Sequence, residues 1–365
     1  MGSIKQNYAN NVLTDGKFDA TDLDGVIPNT NINDNSIDNI TVFGTAGAGI
    51  PSVASDPPSP TLGDVWFNST SNALKYQGVT TSPSWASAAN YPTNMQRQAS
   101  FGTQTATVNA SGLEGSGPTA AYTTNTKEYD GTTWTAGGSV PTALEQPGGG
   151  GILTAGFMAG GESPTPTITN ETVNYDGTSW TVSGSMATGR SALMSGGTQT
   201  AGIIAGGYPG SPPGFTNATE EYNGTSWTAG GTLPTAVRNL RGFGLQTAAI
   251  TLGGEIAPGT TNATSEYNGT SWSGGGNLAA PATGMDGEGT LTAGVAMGGG
   301  PSVTTVQLYD GTSWSPTSAM SNARTLHGAS GASSSSALAI AGAGLTAVEE
   351  FNGPGLPQTK TITTA

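Results

Sequence analysis

Short apolar segments, each closed by glycine, recur along the chain from about residue 105 onward. They read TAGFMAGG from Thr154, TAGIIAGG from Thr200, TAAITLGG from Thr247 and TAGVAMGG from Thr292, with weaker forms from Thr105 and Ser336. Apolar runs of this length that end at glycine predict short buried strands. A further glycine-rich segment lies upstream of each one. The small side chains of both kinds of segment suit the inner strands of a radial fold, where the sheets converge on an axis.

A second pattern follows each apolar segment and places two aromatic residues around Asp-Gly or Asn-Gly. The copies are EYDGTTW, NYDGTSW, EYNGTSW, EYNGTSW and LYDGTSW, with the aromatic pairs Tyr129 and Trp134, Tyr175 and Trp180, Tyr222 and Trp227, Tyr267 and Trp272, and Tyr309 and Trp314. Asp-Gly and Asn-Gly accept positive φ, so each copy predicts a β-hairpin with a tight turn at that dipeptide. The two aromatic rings then pack as the large side chains of the hairpin.

The spacing of these hairpins indicates a repeat architecture. The tyrosines follow one another at intervals of 46, 47, 45 and 42 residues, and a degenerate sixth copy, EEFNGPG, places Phe351 a further 42 residues on. Four short strands in each of six periods predict an all-β fold, a β-propeller of six four-stranded blades over residues 95–365. Seven blades remain the alternative.

Residues 1–94 do not follow the repeat. Residues 1–60 are rich in Asn and Asp and have no hydrophobic period, so they predict an extended polar arm and linker that gains order along another subunit; folding back on its own propeller is the alternative. Residues 61–94 predict a β-hairpin element that ends in a Tyr76…Trp85 hairpin. This element would be either an extra blade or a strand that closes the ring. The C-terminal QTKTITTA is expected to be a final outer strand.

The charge balance excludes several classes of partner. The chain carries 10 basic and 24 acidic residues, a net charge of −14. Nucleic-acid binding and docking on anionic membranes both need clustered Lys and Arg, so we expect neither. No stretch approaches 18 apolar residues, which argues against membrane insertion.

The sequence predicts no catalytic residue, cofactor or metal site. His327 is the one histidine and cysteine is absent, so neither a Cys-His pair nor a typical zinc site can form. The turn position holds Asp in some copies and Asn in others, which favours a role in turn geometry over acid–base chemistry. An enzyme would need a carboxylate pair. The candidates are Glu145, Glu162, Asp286 and Glu288, but nothing in the sequence fixes their proximity.

Four arginines recur near the predicted starts of blades, and we expect them at repeat-equivalent positions: Arg97, Arg190, Arg238 and Arg324. Asp286 and Glu288 lie near glycine turns, where carboxylates can bind calcium. Solvated turn carboxylates are the more frequent outcome.

Two resemblances extend this interpretation. The Gly-Gly, Tyr and Trp pattern over residues 95–365 resembles the kelch repeat family, which implies a β-propeller and leaves function open. The segment SDPPSPTLGDVWFNSTSNALKYQG, residues 55–78, looks like one common in tail-fibre and other virion structural proteins of tailed phages. Arrays with EYNGTSWTAGG and TQTAG also resemble those carried by marine phages, cyanophages especially.

These resemblances imply a non-enzymatic structural protein located in the virion, present in multiple copies as a tail fibre or a capsid decoration. Residues 1–60 would bind other virion proteins, and the propeller would attach to a host surface glycan or protein. Two alternatives remain open: a propeller enzyme acting on host surface polysaccharide, and a cellular kelch-type interaction scaffold.

Overall fold

The computed structural model describes residues 50–60, 63–79, 82–212, 214–353 and 357–362. It divides into two compact units, one of which spans Ser82–Pro354. The other contains the described residues before and after that range. Residues 1–49 of the predicted arm lie outside the described residues.

The strands up to the first blade are β1 (Ser52–Val53), β2 (Val65–Asn68), β3 (Ala73–Val79), β4 (Ser84–Ser87) and β5 (Met95–Gln96). Blade 1 spans β6 (Ala99–Thr103), β7 (Ala106–Ala110), β10 (Thr126–Tyr129) and β11 (Trp134–Ala136). Between its second and third strands, β8 (Leu113–Glu114) and β9 (Ala121–Tyr122) flank a 3-10 turn at Gly117–Thr119 and form a small sheet with β5.

The next three blades repeat this order. Blade 2 is β12 (Gly148–Ile152), β13 (Ala155–Ala159), β14 (Thr172–Tyr175) and β15 (Trp180–Val182). Blade 3 is β16 (Met194–Thr198), β17 (Ala201–Ala205), β18 (Thr219–Tyr222) and β19 (Trp227–Ala229). Blade 4 is β20 (Arg241–Leu245), β21 (Ala248–Leu252), β24 (Thr264–Tyr267) and β25 (Trp272–Gly274), with a small hairpin of β22 (Glu255–Ile256) and β23 (Gly259–Thr260).

The last two blades complete the ring. Blade 5 is β26 (Asp286–Thr290), β27 (Ala293–Met297), β28 (Val306–Tyr309) and β29 (Trp314–Pro316). Blade 6 is β30 (Gly328–Ser333), β31 (Ser336–Ile340), β32 (Val348–Asn352) and β4. The innermost strands contact one another in the order β6, β12, β16, β20, β26, β30 and back to β6. The fold is therefore the predicted all-β propeller, and its ring has six blades.

The outer strand of blade 6 comes from residues 61–94 and corrects one expectation about that segment. Trp85 lies in β4 and pairs with Phe351, as Trp134 pairs with Tyr129 in blade 1. It therefore supplies the Trp that the copy EEFNGPG lacks, and the expected Tyr76…Trp85 hairpin does not form. The physical reason is the open edge of β32, whose unpaired backbone groups accept the strand from the other end of the chain.

The last strand, β33 (Pro357–Thr361), was expected to be an outer strand of the propeller, but it is not part of any blade. It pairs with β3 in a separate sheet of order β1-β2-β3-β33. In this unit Asp56 accepts hydrogen bonds from Trp66 Nε1 at 3.0 Å, Asn68 Nδ2 at 2.7 Å and Lys75 Nζ at 2.8 Å. The propeller thus begins at Ser82, before the predicted residue 95, and ends by Pro354, before the predicted residue 365.

The hairpin turns are longer than the dipeptide suggests. Tyr222 pairs with Trp227, which leaves four residues, Asn223 to Ser226, in the loop. Asn223 Oδ1 accepts from the N–H groups of Thr225 at 3.0 Å and Ser226 at 2.9 Å. Asp130, Asp176, Asn268 and Asp310 make the same pair of bonds in their own loops. Asp and Asn interchange because one side-chain oxygen is all that this turn requires.

Candidate binding site at the mouth of the propeller

Six residues in left-handed backbone conformation encircle the axis at one end of the propeller. Each lies two positions before the first paired residue of an innermost strand. Their φ values run from 51° to 60°, at Arg97, Gln146, Ala192, Asn239, Gly284 and Leu326. We call them the mouth ring.

Backbone hydrogen bonds join the mouth ring from blade to blade. Arg97 N donates to Leu326 O at 2.8 Å, and Gln146 N donates to Arg97 O at 2.8 Å. The Ala192, Asn239 and Leu326 N–H groups each bond to the carbonyl of the ring residue in the preceding blade at 2.7–3.0 Å. A left-handed residue other than glycine costs about 1–3 kcal/mol. These inter-blade bonds offset that cost, so the conformation persists although only position 284 is glycine.

The mouth ring surrounds a cavity of about 300 Å³. Beyond ring residues, its lining includes Glu255, Thr283 and Thr325. Blades 1, 2, 4, 5 and 6 all contribute to this lining. The volume lies at the lower end of the range for small-molecule sites, and the wall is predominantly polar.

Two ion pairs flank the cavity. Arg97 Nη1 lies 2.5 Å from Glu145 Oε2, and the Tyr122 hydroxyl donates to Glu145 Oε1 at 2.9 Å. Burial, together with this bond to the Glu145 carboxylate, raises the pKa of Tyr122 to about 12.

The second pair joins Arg238 Nε to Glu255 Oε2 at 2.9 Å, and Asn239 Nδ2 donates to Glu255 Oε1 at 2.8 Å. The Arg238 guanidinium also lies over the rings of Tyr208 and Phe215, at 5.6 and 4.9 Å from their centroids. Both arginines at the mouth are therefore engaged by carboxylates.

Three more charged side chains lie on innermost strands that begin just below the mouth ring. Arg241 and Asp286 occupy equivalent positions in neighbouring blades, and Glu288 follows two residues later on the same strand. Burial raises the pKa of Asp286 to about 6, although the positive charge of Arg241 opposes the shift. Burial, and then the charge of Asp286, raises the pKa of Glu288 well above its ordinary value.

The four acidic candidates from the sequence thus form two separate pairs. Glu145 and Glu162 face each other across an isolated bridge between two loops, with Glu145 N bonded to Glu162 O at 2.9 Å. Burial and the Glu145 charge raise the pKa of Glu162. Asp286 and Glu288 share one strand and influence each other's charge. Asp286 and Glu288 lie on a strand and are half-buried, so the expectation of solvated turn carboxylates is wrong for these two residues.

His327 takes no part in the site. Its side chain is 1% exposed, and both ring nitrogens are without hydrogen-bond partners among the described residues. Burial, followed by the positive charges of Arg324 and Arg241, lowers its pKa to about 3. The imidazole is therefore neutral at physiological pH and inaccessible to a ligand.

Of the four arginines near the blade starts, Arg190 and Arg324 occupy equivalent positions, whereas Arg97 and Arg238 do not. Arg190 and Arg324 lie four residues before their innermost strands and are fully buried. Arg190 pairs with Glu220, and Arg324 Nη2 lies 2.7 Å from Glu349 Oε2. Both also donate to backbone carbonyls. Arg97 and Arg238 lie closer to their strands and reach the mouth, so similar sequence positions lead to two different environments.

The ten repeat aromatics lie away from the mouth, in the outer half of the blades. Each Tyr pairs with the Trp of its own hairpin, and the ring centroids are 4.7–4.9 Å apart. The tyrosine hydroxyls bond to the preceding blade, as in Tyr267 to Glu221 at 2.5 Å and Tyr129 to Glu350 at 3.0 Å. The repeated EY and NY dipeptides therefore connect neighbouring blades.

The mouth residues were not identified as a site from the sequence. They differ in type from blade to blade, so they carry no repeated letter. The one feature of the sequence that could have identified them is their constant position, two residues before each glycine-rich inner segment.

Among the residues that the structure describes, no group of three or more His, Cys, Asp or Glu side chains converges to hold a metal ion. No helix in the described ranges is long and apolar enough to cross a bilayer. The mouth offers amides, hydroxyls and paired charges, which can form hydrogen bonds with a small polar ligand.

Comparisons with known proteins bear on the fold. No protein-family model and no curated protein matches the sequence. Among solved structures, one titled "Structure of YjhT" superposes with a TM-score of 0.57 over 75% of this chain and 99% of that chain, at 13% sequence identity. At this identity the likeness supports the β-propeller fold alone.

Proposed function

We propose that this chain is a non-enzymatic structural protein of a tailed phage particle. Its N-terminal part attaches to other virion proteins, and its propeller is exposed in multiple copies for host adhesion or capsid decoration. The kelch-like repeat and the virion-type segment, recognised separately in the sequence, correspond to two separate compact units.

The observation that carries the proposal is the closure of the ring within Ser82–Pro354. All six blades, including the outer strand of blade 6, are built from that range. Residues outside it are not needed to complete the propeller. The segment 55–78, which looks like part of virion proteins, contributes to the other unit, so attachment and recognition have separate structural bases.

Particle incorporation tests this proposal. Particles that lack the protein are supplied with either the full chain or a chain of residues 82–354, and purified particles are analysed by mass spectrometry. We expect to find the full chain in the particles and not the shorter chain. Circular dichroism should show that the shorter chain is nevertheless folded. Equal incorporation of the two chains, or absence of the full chain, would contradict the proposal.

A second candidate function, cleavage of a host surface polysaccharide, is favoured by one observation. Asp286 and Glu288 are neighbouring carboxylates with raised pKa values beneath the mouth ring, and such perturbed groups cluster at active sites. Turnover of host polysaccharide that is lost in Glu288→Gln and retained in Glu145→Gln would favour this candidate over adhesion.

A further inference from the structure

The mouth presents neutral hydrogen-bonding groups from four blades. These are the carboxamides of Gln146 and Asn239 and the hydroxyls of Thr283 and Thr325. An amide or a hydroxyl can both donate and accept, which is also true of every hydroxyl on a sugar ring. The Gln146 amide has only a long contact, Nε2 to Asn239 Oδ1 at 3.4 Å, so most of its capacity remains for a ligand.

Arg97 provides a further donor. Its Nε is buried and has no hydrogen-bond partner within the described residues, while its Nη1 is held by Glu145. A buried donor without a partner is costly. Because this atom is buried, a ligand hydroxyl would satisfy it only after the Arg97 side chain shifts toward the cavity.

The charges around the cavity disfavour an anionic ligand. Arg97 and Arg238 are each paired, and the carboxylates near the mouth, Glu145, Glu162 and Glu255, outnumber them. On the strands below, Arg241 faces the acidic Asp286, and burial raises the pKa of Glu288 and so favours its uncharged form. To gain a positive partner here, a carboxylate, sulfate or phosphate would have to displace Glu145 or Glu255 from its arginine.

The cavity also disfavours a cationic ligand. Glu145 already accepts from Arg97 and Tyr122, and Glu255 accepts from Arg238 and Asn239. Each carboxylate would have to give up such a bond to engage a new positive charge. Within the lining of the cavity, the groups that are not already held in an ion pair are neutral.

We infer that the mouth binds an uncharged saccharide unit, with Gln146 and Asn239 contacting ring hydroxyls and Thr283 and Thr325 completing the polar wall. Leu326 supplies an apolar surface in the same cavity. The volume of about 300 Å³ suits one or two sugar residues. This inference rests on the proposed role in host adhesion, for which it names the ligand class.

The test uses the full-length protein and a printed array of neutral, uronic-acid, sulfated and amino oligosaccharides. Saturation-transfer NMR and calorimetry then measure the affinity for the best array ligand and its charged analogues. We expect neutral glycans to bind, in the millimolar to micromolar range, and their uronic-acid analogues to bind about tenfold more weakly or worse.

Two variants locate the binding site, and one serves as a matched control. Gln146→Ala should weaken binding about tenfold and Thr283→Val by several fold, because each removes a hydrogen-bonding group from the cavity. Thr290→Val makes the same substitution at an exposed position near the other end of blade 5 and should leave affinity unchanged. Thermal unfolding confirms that all three variants are folded.

Several results would overturn the inference. They are tighter binding of acidic or amino glycans than of neutral ones, no binding of any neutral glycan, and binding that survives both mouth variants. None of these results alters particle incorporation, so a failure here and a failure of the proposed virion role are distinguishable.

Discussion

Each tyrosine hydroxyl of the repeat bonds to the residue that precedes the equivalent aromatic residue of the preceding blade, which is Phe351 in blade 6 and tyrosine in the others. The acceptors in blades 1 to 4 and 6 are Glu or Asn, as with Tyr222 and Asn174 Oδ1 at 3.2 Å. Blade 5 has no such acceptor, and the aromatic residue of blade 6 has no hydroxyl group that would need one. Blade 6 has Phe351 in place of tyrosine, and the residue it would face, Leu308, packs against the apolar cluster that contains Phe351. The chain therefore contains both a polar and an apolar version of the same inter-blade contact.

The apolar pair of Leu308 and Phe351 can be introduced between blades 3 and 4, where Glu221 and Tyr267 form the polar pair. Tyr267→Phe and Glu221→Leu should each lower the free energy of unfolding by about 1–2 kcal/mol, because each leaves its partner, the half-buried Glu221 or the buried Tyr267, without this hydrogen bond. The double variant recreates the Leu308 and Phe351 pair and should lose less than the sum of the single losses, with a coupling energy of about 1 kcal/mol. Urea unfolding of the four proteins measures the cycle. Strict additivity would show that the hydroxyl and carboxylate do not interact.

Glu288 gives the stability a characteristic pH dependence. Its pKa is raised in the folded protein, so the folded state retains a proton that the unfolded state has released. Stability should therefore be highest below the ordinary pKa of 4.5 and fall as the pH rises through the folded pKa. Glu288→Gln mimics the protonated group, so its stability should match that of the parent at low pH and exceed it at pH 8. Melting temperatures across this range test the effect, and parallel profiles would contradict it.

Among the elements, β4 has the largest consequence for the ring. It adds the fourth strand of blade 6, and its Trp85 packs on Phe351 with ring centroids 5.0 Å apart. The Trp85 Nε1 group also donates to Ser318 O in blade 5 at 2.9 Å. One strand from the N-terminal side thus joins the last blade to its neighbour.

Two truncations separate this strand from the rest of the N-terminal region. A chain of residues 82–354 keeps β4 and should unfold as a complete propeller. A chain of residues 95–354 opens the edge of β32 and removes a packed Trp, which should lower the free energy of unfolding by at least about 3–5 kcal/mol and promote aggregation. Chemical denaturation and light scattering compare the two chains. Equal stability would mean that β4 does not close the ring.

The sequence predicted the elements well where the repeat is regular. Six periods of glycine-ended strands, with five Tyr…Trp hairpins and one degenerate copy, were sufficient to predict the six-bladed fold, because periodicity and turn chemistry act locally. The position of β4 was not predictable in this way, since its partner, Phe351, is more than 250 residues away in the chain. The four-residue turns were missed because the dipeptide alone does not show that its own Asp or Asn side chain accepts from the N–H groups two and three residues further on.

At the scale of the whole molecule, the mouth was the feature least visible in the sequence. It depends on backbone conformation at six separated positions and on residues such as Gln146 and Thr283 that do not recur. Its ion pairs also join different loops, so no local motif contains both partners. The repeated residues determine the propeller fold, and the non-repeated residues at the mouth give the candidate site its chemistry.

The central claim is that the propeller carries the host recognition and does not need the N-terminal region for it. Purified chains can compete with intact particles for adsorption to host cells, measured as unadsorbed infectious particles. We predict that residues 82–354 inhibit adsorption as well as the full chain does, and that Gln146→Ala weakens the inhibition. Inhibition that requires residues 1–81, or no inhibition by either chain, would contradict the claim.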